Sequence, residues 1–133
     1  MDPALEAKLV EAARRARENA VCGYSGFAVG AALEAEDGSI HGGCNVENGT
    51  YGLTVCAERV AIWKALSEGV RRFRAVAVVT GADEPTSPCG ACRQILWEFA
   101  GDIDVVCSTL EGEAKRFKLH ELLPEPFEFE KKF

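Results

Sequence analysis

The sequence predicts an α/β domain in which a mixed sheet lies between helices on both faces, a three-layer α/β/α sandwich. Segments with strand character alternate with segments of helical periodicity. Strands separated by helices need crossover connections and therefore pair in parallel. A strong hairpin signal, Asp37-Gly38, lies between the first two strand segments and adds an antiparallel pair. At 133 residues the chain fits one domain, residues 1–133.

Helical segments are predicted from apolar periodicity and from residues that start and stop helices. Asp2 can cap the first helix, with Pro3 at its first position, and one apolar stripe follows. Gly69 is the stop signal of the second helix, and Ser87-Pro88 begins the third. The predicted helices span residues 3–20, 56–68, about 87–99, and 119–123.

Four strands are predicted from the pattern alone. The first two flank the Asp37-Gly38 turn. The other two, AVAVVT and DVVCS, are short apolar runs typical of strands that are buried on both faces. The predicted strands cover residues 27–36, 39–47, 75–80 and 104–108.

The composition of the chain argues against nucleic-acid and membrane partners. The formal net charge of -6 and the pI of about 5.0 make a nucleic-acid partner a poor fit, because binding a phosphate backbone needs a basic surface. The N-terminus, MDPALEAKLV, carries charges where a signal peptide has an apolar run, and no segment approaches the length of a membrane span. We therefore expect a cytoplasmic protein without a membrane partner, in which clustered cysteines indicate metal binding or catalysis.

A split cysteine motif carries the strongest chemical signal. Cys56-Ala57-Glu58 and Pro88-Cys89-Gly90-Ala91-Cys92 supply three thiols and a carboxylate. Three protein ligands leave a position for water on a catalytic zinc ion, and the carboxylate can move protons. Cys56 and Cys89 are expected at helix starts, where the helix dipole favours thiolates, and Cys92 lies one turn after Cys89.

The charge of such a site must be offset. Three thiolates and one Zn²⁺ carry a net charge of -1, which makes a bound water harder to ionise. Arg59 is the expected compensating cation behind the ligands, and Gln94 is expected to donate a hydrogen bond to a ligand sulfur. Zinc is preferred over iron on the general chemistry of thiolate sites.

Other interpretations of the cysteines remain open on the residues alone. A redox dithiol accounts for Cys-x-x-Cys but has no use for Cys56-Ala57-Glu58. A structural zinc site needs a fourth ligand, for which Cys107, His41 and His120 are candidates, although both histidines are expected on the solvated surface. The cysteines outside the split motif are expected to be small buried residues: Cys22, Cys44 and Cys107.

The split motif also matches a known signature. Zinc-dependent nucleobase deaminases carry H-x-E followed by P-C-x-x-C, with a three-cysteine variant that this chain shows. Together with further segments, the motif closely resembles the small homotetrameric cytidine deaminases of pyrimidine salvage, from Tyr24 to Phe127. The segments that carry the resemblance are YSGFAVGAAL, GCNVENGTYG, CAERVAIWKALSEG, SPCGACRQI and ELLPEPF.

The resemblance implies a fold, a cofactor and an activity. The family fold has a mixed five-stranded sheet, and one zinc ion per subunit is bound by Cys56, Cys89 and Cys92. The implied reaction is hydrolytic deamination of cytidine, and of deoxycytidine, to the uracil nucleoside and ammonia. A water activated by the metal attacks C4, and Glu58 is the proton shuttle. Active sites shared between subunits of a homotetramer are also implied.

Substrate-binding residues follow from the same resemblance. Phe27 matches the aromatic residue that lies against the pyrimidine. Asn45 and Glu47 match the pair that binds the ribose hydroxyls, and a carboxylate there would repel a 5′-phosphate, which favours a nucleoside. The remaining matches are Ala57, whose backbone N–H faces the base, and Tyr51 and Phe127, which reach a neighbouring subunit's site. The alternatives are a deaminase of another base or of an aminonucleoside, and a non-catalytic zinc module.

Overall fold

The computed structural model describes residues 1–130 and contains one five-stranded sheet. Its elements are α1 (Pro3–Arg17), β1 (Val29–Ala35), β2 (Ile40–Cys44), α2 (Ala57–Ser67), β3 (Phe73–Thr80), α3 (Gly90–Ala100), β4 (Asp104–Thr109), β5 (Ala114–Lys118) and α4 (Leu119–Leu122). The strand order is β2-β1-β3-β4-β5. Neighbouring strands are antiparallel except β3 and β4, which pair in parallel. Within residues 1–130 no helix combines the length and apolar character that crossing a membrane requires.

The predicted three-layer α/β/α architecture with a mixed sheet is confirmed. Helix α1 packs on one face of the sheet, and α2 and α3 pack on the other. The crossover from β2 through α2 to β3 joins two strands of the same direction, but β1 lies between them and is antiparallel to both. The sheet therefore has one parallel pair, β3 with β4. The sequence predicted that both pairs of strands separated by a helix would be parallel neighbours, and this is wrong for β2 and β3.

The core lies on both faces of the central strands, which explains the apolar runs in β3 and β4. In β1, Ala31 and Leu33 face α2 and α3, whereas Ala32 faces α1. Val105 and Val106 alternate in the same way in β4. Fully buried side chains that fill the two layers include Leu9, Ile62, Val76, Val79 and Leu96.

The fifth strand and several element ends differ from the sequence prediction. The hydrophobic pattern of the sequence did not predict strand β5. Its residues, AKRFK, are largely exposed at the sheet edge and contain no apolar run. The first helix ends at Arg17 and not at residue 20, the third begins at Gly90 and not at Ser87, and β3 begins earlier, at Phe73.

The opening hairpin is shorter than the predicted strands 27–36 and 39–47. Strands β1 and β2 cover only residues 29–35 and 40–44. Residues 27–28 and 45–47 leave the regular ladder at this end of the sheet, where Val46 makes isolated bridges with Val21 and Val55. As a result Phe27, Asn45 and Glu47 lie just beyond the ends of paired strands, beside the start of α2.

Gly43 allows the first turns of α2 to lie directly on the sheet. A Cβ atom at this position would lie 2.5 Å from the backbone nitrogen of Ala61 and 2.8 Å from the carbonyl oxygen of Ala57. The neighbouring Gly42 faces the other side, where a Cβ would meet Ala16 Cβ at 3.3 Å. The close approach at Gly43 therefore sets the distance between the sheet and α2, whose N-cap residue is Cys56.

We expect Gly43→Ala to lower the free energy of unfolding by about 2–3 kcal/mol, because the added methyl group must displace helix backbone. Gly42→Ala is the matched control and is expected to cost less than about 1 kcal/mol, since its neighbour is a side-chain methyl. Urea-induced unfolding of both variants checks the prediction. Equal losses in the two variants would contradict the role assigned to Gly43.

Candidate active site

Three cysteine sulfurs come together where α2 and α3 begin. Cys56 is the N-cap residue of α2, Cys89 is the N-cap residue of α3, and Cys92 lies in the first turn of α3. The prediction that Cys56 and Cys89 lie at helix starts is therefore confirmed. The three sulfur atoms lie within 4.8 Å of one another. Among residues 1–130, no other group of three His, Cys, Asp or Glu side chains is arranged to hold a metal ion.

The candidates for a fourth ligand lie elsewhere. His41 is half-buried beside the Ser39 hydroxyl, and His120 is exposed, with Nδ1 2.8 Å from Asp102 Oδ2. Cys107 is buried in the core of the α2 and α3 face, as predicted, and does not belong to the group of three sulfurs. Cys22 and Cys44 are only half-buried, so the prediction that they are small buried residues is wrong for these two. A three-thiol cluster favours a site with an open position over a closed structural one.

The electrostatic surroundings favour a thiolate at Cys56. Arg59 Nη2 lies 3.3 Å from Cys56 Sγ, where the sequence predicted a compensating cation. A hydrogen bond from the Cys92 thiol, assisted by Arg59, lowers the pKa of Cys56 to about 5. The same hydrogen bond, together with burial, raises the pKa of Cys92. The cluster thus offers a thiolate and two further sulfurs, a soft donor set that fits zinc.

Glu58 is buried beside this cluster. It lies in the first turn of α2 and is only 4% exposed. Burial, followed by the nearby charge of Cys56, raises the pKa of the Glu58 carboxyl group to about 7. A carboxyl group with such a pKa can both accept and donate a proton near neutral pH.

A cavity of about 340 Å³ opens onto Glu58, Cys56 and Cys89. Its size is typical of a pocket for a small molecule. Predicted substrate residues contribute to its wall, namely Phe27, Asn45, Glu47 and Ala57. The wall also contains hydroxyl groups that the sequence did not single out, from Ser25, Thr54, Thr80, Thr86 and Ser87. Within the part of the chain that the structure describes, no lysine or arginine lines this cavity.

Asn45 is tied to the chain that carries Phe27. Its Nδ2 atom donates to the Phe27 carbonyl oxygen at 2.8 Å, and its Oδ1 atom accepts from the Val29 N–H at 2.9 Å. The buried side-chain amide therefore continues the ladder between β1 and β2 beyond its last backbone pair. One N–H of the amide remains for a ligand.

Glu47 is held by the turn before Phe27. Its Oε1 atom accepts from the backbone N–H groups of Tyr24 and Ser25, at 3.1 Å and 3.0 Å. Its Oε2 atom accepts from the Ser25 hydroxyl at 2.5 Å. The bonds from Ser25 hold the pKa of Glu47 below its usual range, so this cavity wall carries a fixed negative charge.

The predicted aromatic residues take different positions. Phe27 lies in the cavity wall and is 40% exposed as a residue. Tyr51 and Phe127 are 80% and 63% exposed, and neither lines this cavity. Gln94 donates to the Phe127 carbonyl oxygen at 2.7 Å and accepts from the Phe127 N–H at 3.1 Å. The prediction that Gln94 donates to a ligand sulfur is therefore wrong, because its amide is bound to the C-terminal segment.

Arg93 supports the segment that leads into the three-thiol cluster, although the sequence pattern did not identify it. Its guanidinium donates to the Pro88 carbonyl oxygen at 2.6 Å and to the Ser87 hydroxyl at 2.9 Å. It also donates to the Leu122 carbonyl oxygen at 2.7 Å. These bonds hold the residues just before Cys89 against α3 and α4. No sequence signal marks such a role, since two of the three acceptors are backbone carbonyls and one is 29 residues away.

Comparisons with known proteins agree with this arrangement. The family model of the cytidine and deoxycytidylate deaminase zinc-binding region matches residues 4–109. The chain is 50% identical over 121 residues to a cytidine deaminase of Sporosarcina psychrophila, covering 90% of this chain and 89% of the relative. A Halalkalibacterium halodurans cytidine deaminase is 48% identical over 120 residues, covering 90% and 91%. The crystal structure of a Burkholderia pseudomallei cytidine deaminase matches with a TM-score of 0.89 and 45% identity, covering 96% and 100%.

Proposed function

The chain belongs to the cytidine and deoxycytidylate deaminase family, and from that premise we infer that it is a zinc-dependent hydrolase of free cytidine. The products are uridine and ammonia, and deoxycytidine is proposed as a second substrate. One observation carries the inference to this chain. The buried Glu58 side chain and two members of the three-thiol cluster, Cys56 and Cys89, line the same cavity, so a proton carrier and a metal site adjoin the space for one small molecule.

The cluster residues fit a zinc ion. We propose that Cys56, Cys89 and Cys92 hold it, one ion per chain, because their sulfurs converge and Cys56 is poised as a thiolate. When bound, zinc supplies a water of lowered pKa and therefore a nucleophile near neutral pH. Arg59 offsets part of the negative charge of the thiolates through its contact with Cys56.

Glu58 moves the protons in the proposed mechanism. Its carboxylate takes a proton from the attacking water and delivers it to N3 of the cytosine ring, which makes C4 electrophilic. The C4–O bond forms, and the remaining proton of the new C4 hydroxyl group passes through Glu58 to the amino group as the C4 carbonyl forms. The C4–N bond then breaks and ammonia leaves. We propose that Phe27 packs on the base and that the Ala57 N–H, at the start of α2, faces it.

The wall of the cavity supports a nucleoside as the substrate, rather than a nucleotide. The family description includes deoxycytidylate, which carries a phosphate. In this chain Glu47 places a negative charge on the wall, and among the described residues no lysine or arginine lines the cavity to offset a phosphate. We propose that Asn45 and Glu47 bind the ribose hydroxyl groups instead.

A substrate panel tests this proposal. We expect the zinc-loaded protein to convert cytidine, followed by the loss of ultraviolet absorbance on deamination. CMP is expected to show a kcat/KM at least about 100-fold lower, because its phosphate meets the Glu47 carboxylate without a compensating cation. Cytosine and single-stranded DNA are expected to show little turnover. Comparable values of kcat/KM for CMP and cytidine would contradict the nucleoside assignment, and turnover of none of the substrates would support a non-catalytic zinc module.

We also propose a domain organisation, an oligomeric state and a cellular location for the enzyme. We place the whole chain, residues 1–133, in one deaminase domain of a homotetramer with shared active sites, which is consistent with the exposed rings of Tyr51 and Phe127. A cytoplasmic location is supported by the thiol ligands, since the cysteines are free and must stay reduced to bind metal.

A further inference from the structure

The Ser25 hydroxyl group connects two residues of the proposed substrate site. Its oxygen accepts a hydrogen bond from the Phe27 backbone N–H at 3.0 Å. Because a serine hydroxyl has one hydrogen, this hydrogen is free to point at Glu47 Oε2, 2.5 Å away. One side chain thus fixes a carboxylate and the backbone of an aromatic residue in the same cavity wall.

We propose that Ser25 is a positioning residue that holds the Glu47 carboxylate in the orientation that recognises the ribose hydroxyl groups. This inference rests on the proposed function, in which Glu47 contacts the sugar. The hydroxyl hydrogen of Ser25 occupies Oε2, and the backbone N–H groups of Tyr24 and Ser25 occupy Oε1. These three bonds stop the carboxylate from rotating. Its remaining lone pairs are then held toward a hydrogen-bond donor in the cavity.

The Ser25 side chain does not serve to pack the core. Its side chain is exposed, and it lies in the short turn that the Gly26 N–H closes onto the Cys22 carbonyl oxygen at 2.8 Å. Gly26 has a φ of 70°, so the turn is set by a glycine and a backbone hydrogen bond. The glycine and this backbone bond close the turn, and the hydrogen that the Ser25 hydroxyl donates goes to the Glu47 carboxylate and not to the turn.

A double-mutant cycle with Glu47 tests the proposal on the zinc-loaded full chain. Ser25→Ala is expected to lower kcat/KM for cytidine about 10-fold, mainly through KM, because a charge-assisted hydrogen bond to the carboxylate is lost. In the Glu47→Gln background the same substitution is expected to change kcat/KM by less than about 2-fold, since the group it positions has been replaced. Ser25→Thr keeps the hydroxyl and is expected to stay within about 3-fold of the parent.

Ser39→Ala is the matched control for loss of a serine–carboxylate bond. The Ser39 hydroxyl donates to Asp37 Oδ1 at 2.6 Å in the hairpin between β1 and β2, away from the cavity. Its removal should leave kcat and KM unchanged, and neither alanine variant should shift the thermal unfolding midpoint appreciably.

Three outcomes would overturn the assignment of Ser25: an unchanged kcat/KM in Ser25→Ala, an equal loss in both Glu47 backgrounds, or a loss confined to kcat. Parent turnover in the same assay distinguishes these outcomes from failure of the proposed function. If the parent itself converts no cytidine at one zinc per chain, the proposed function fails, and the role of Ser25 fails with it.

Discussion

Replacing Glu58 with glutamine is expected to lower kcat for cytidine deamination by about four orders of magnitude while one zinc ion per chain stays bound. The glutamine amide keeps the size of the buried side chain but cannot take a proton from water or return one to the amino group. Zinc content is expected to be unchanged because Glu58 does not belong to the three-thiol group that we propose as the zinc ligands. Single-turnover kinetics and metal analysis of the same preparation check both halves of the prediction.

Glu34→Gln is the matched control for this variant. Glu34 is also a buried glutamate, 2% exposed, but it lies in β1 on the α1 side of the sheet and does not line the cavity. The same chemical change there should leave kcat near that of the parent. Near-normal turnover in Glu58→Gln would contradict the assignment of both proton transfers to this residue, whereas loss of zinc would show that the carboxyl group helps to hold the metal.

Cys89→Ala is expected to lose zinc and, with it, cytidine turnover. Two remaining sulfurs do not complete the site, and among residues 1–130 no further cysteine, histidine or carboxylate belongs to the three-thiol group. Metal binding also stabilises the folded state. The thermal unfolding midpoint of the variant should therefore fall to that of the chelator-treated parent and no further.

Cys22→Ala provides the comparison, since Cys22 is half-buried and lies outside the cluster. That variant should keep both zinc and turnover. Competition with a chromophoric chelator measures the zinc affinity of each protein. If Cys89→Ala bound zinc as tightly as the parent, the ligand set would be wrong.

The metal cluster was predictable because local rules fix it. Cys92 lies one helical turn after Cys89 and therefore on the same side of α3, so spacing alone brings these two cysteines together. Both parts of the split motif also lie at helix starts. The convergence of Cys56 with them is a tertiary property that pattern does not provide. The chemistry of the motif indicated it instead, because three thiols and a carboxylate suit a catalytic zinc site, and the resemblance to a family of zinc enzymes strengthened that prediction. In the structure the starts of α2 and α3 bring the three sulfurs together.

Other features escaped prediction because they depend on contacts distant in sequence or on backbone atoms. Strand β5 has no apolar pattern, since it pairs only at the sheet edge. Gln94 was expected at the metal, but it binds the backbone of Phe127, 33 residues away. Asn45 was predicted only as a ligand for the sugar, whereas most of its amide holds the chain that carries Phe27.

The most direct test of the central claim is the rate of uridine formation from cytidine as the metal-free protein is titrated with zinc. We predict that turnover rises in proportion to bound zinc and levels off at one ion per chain, with equimolar release of ammonia. Cytidine conversion that does not depend on zinc, or no conversion at one zinc per chain, would contradict the account.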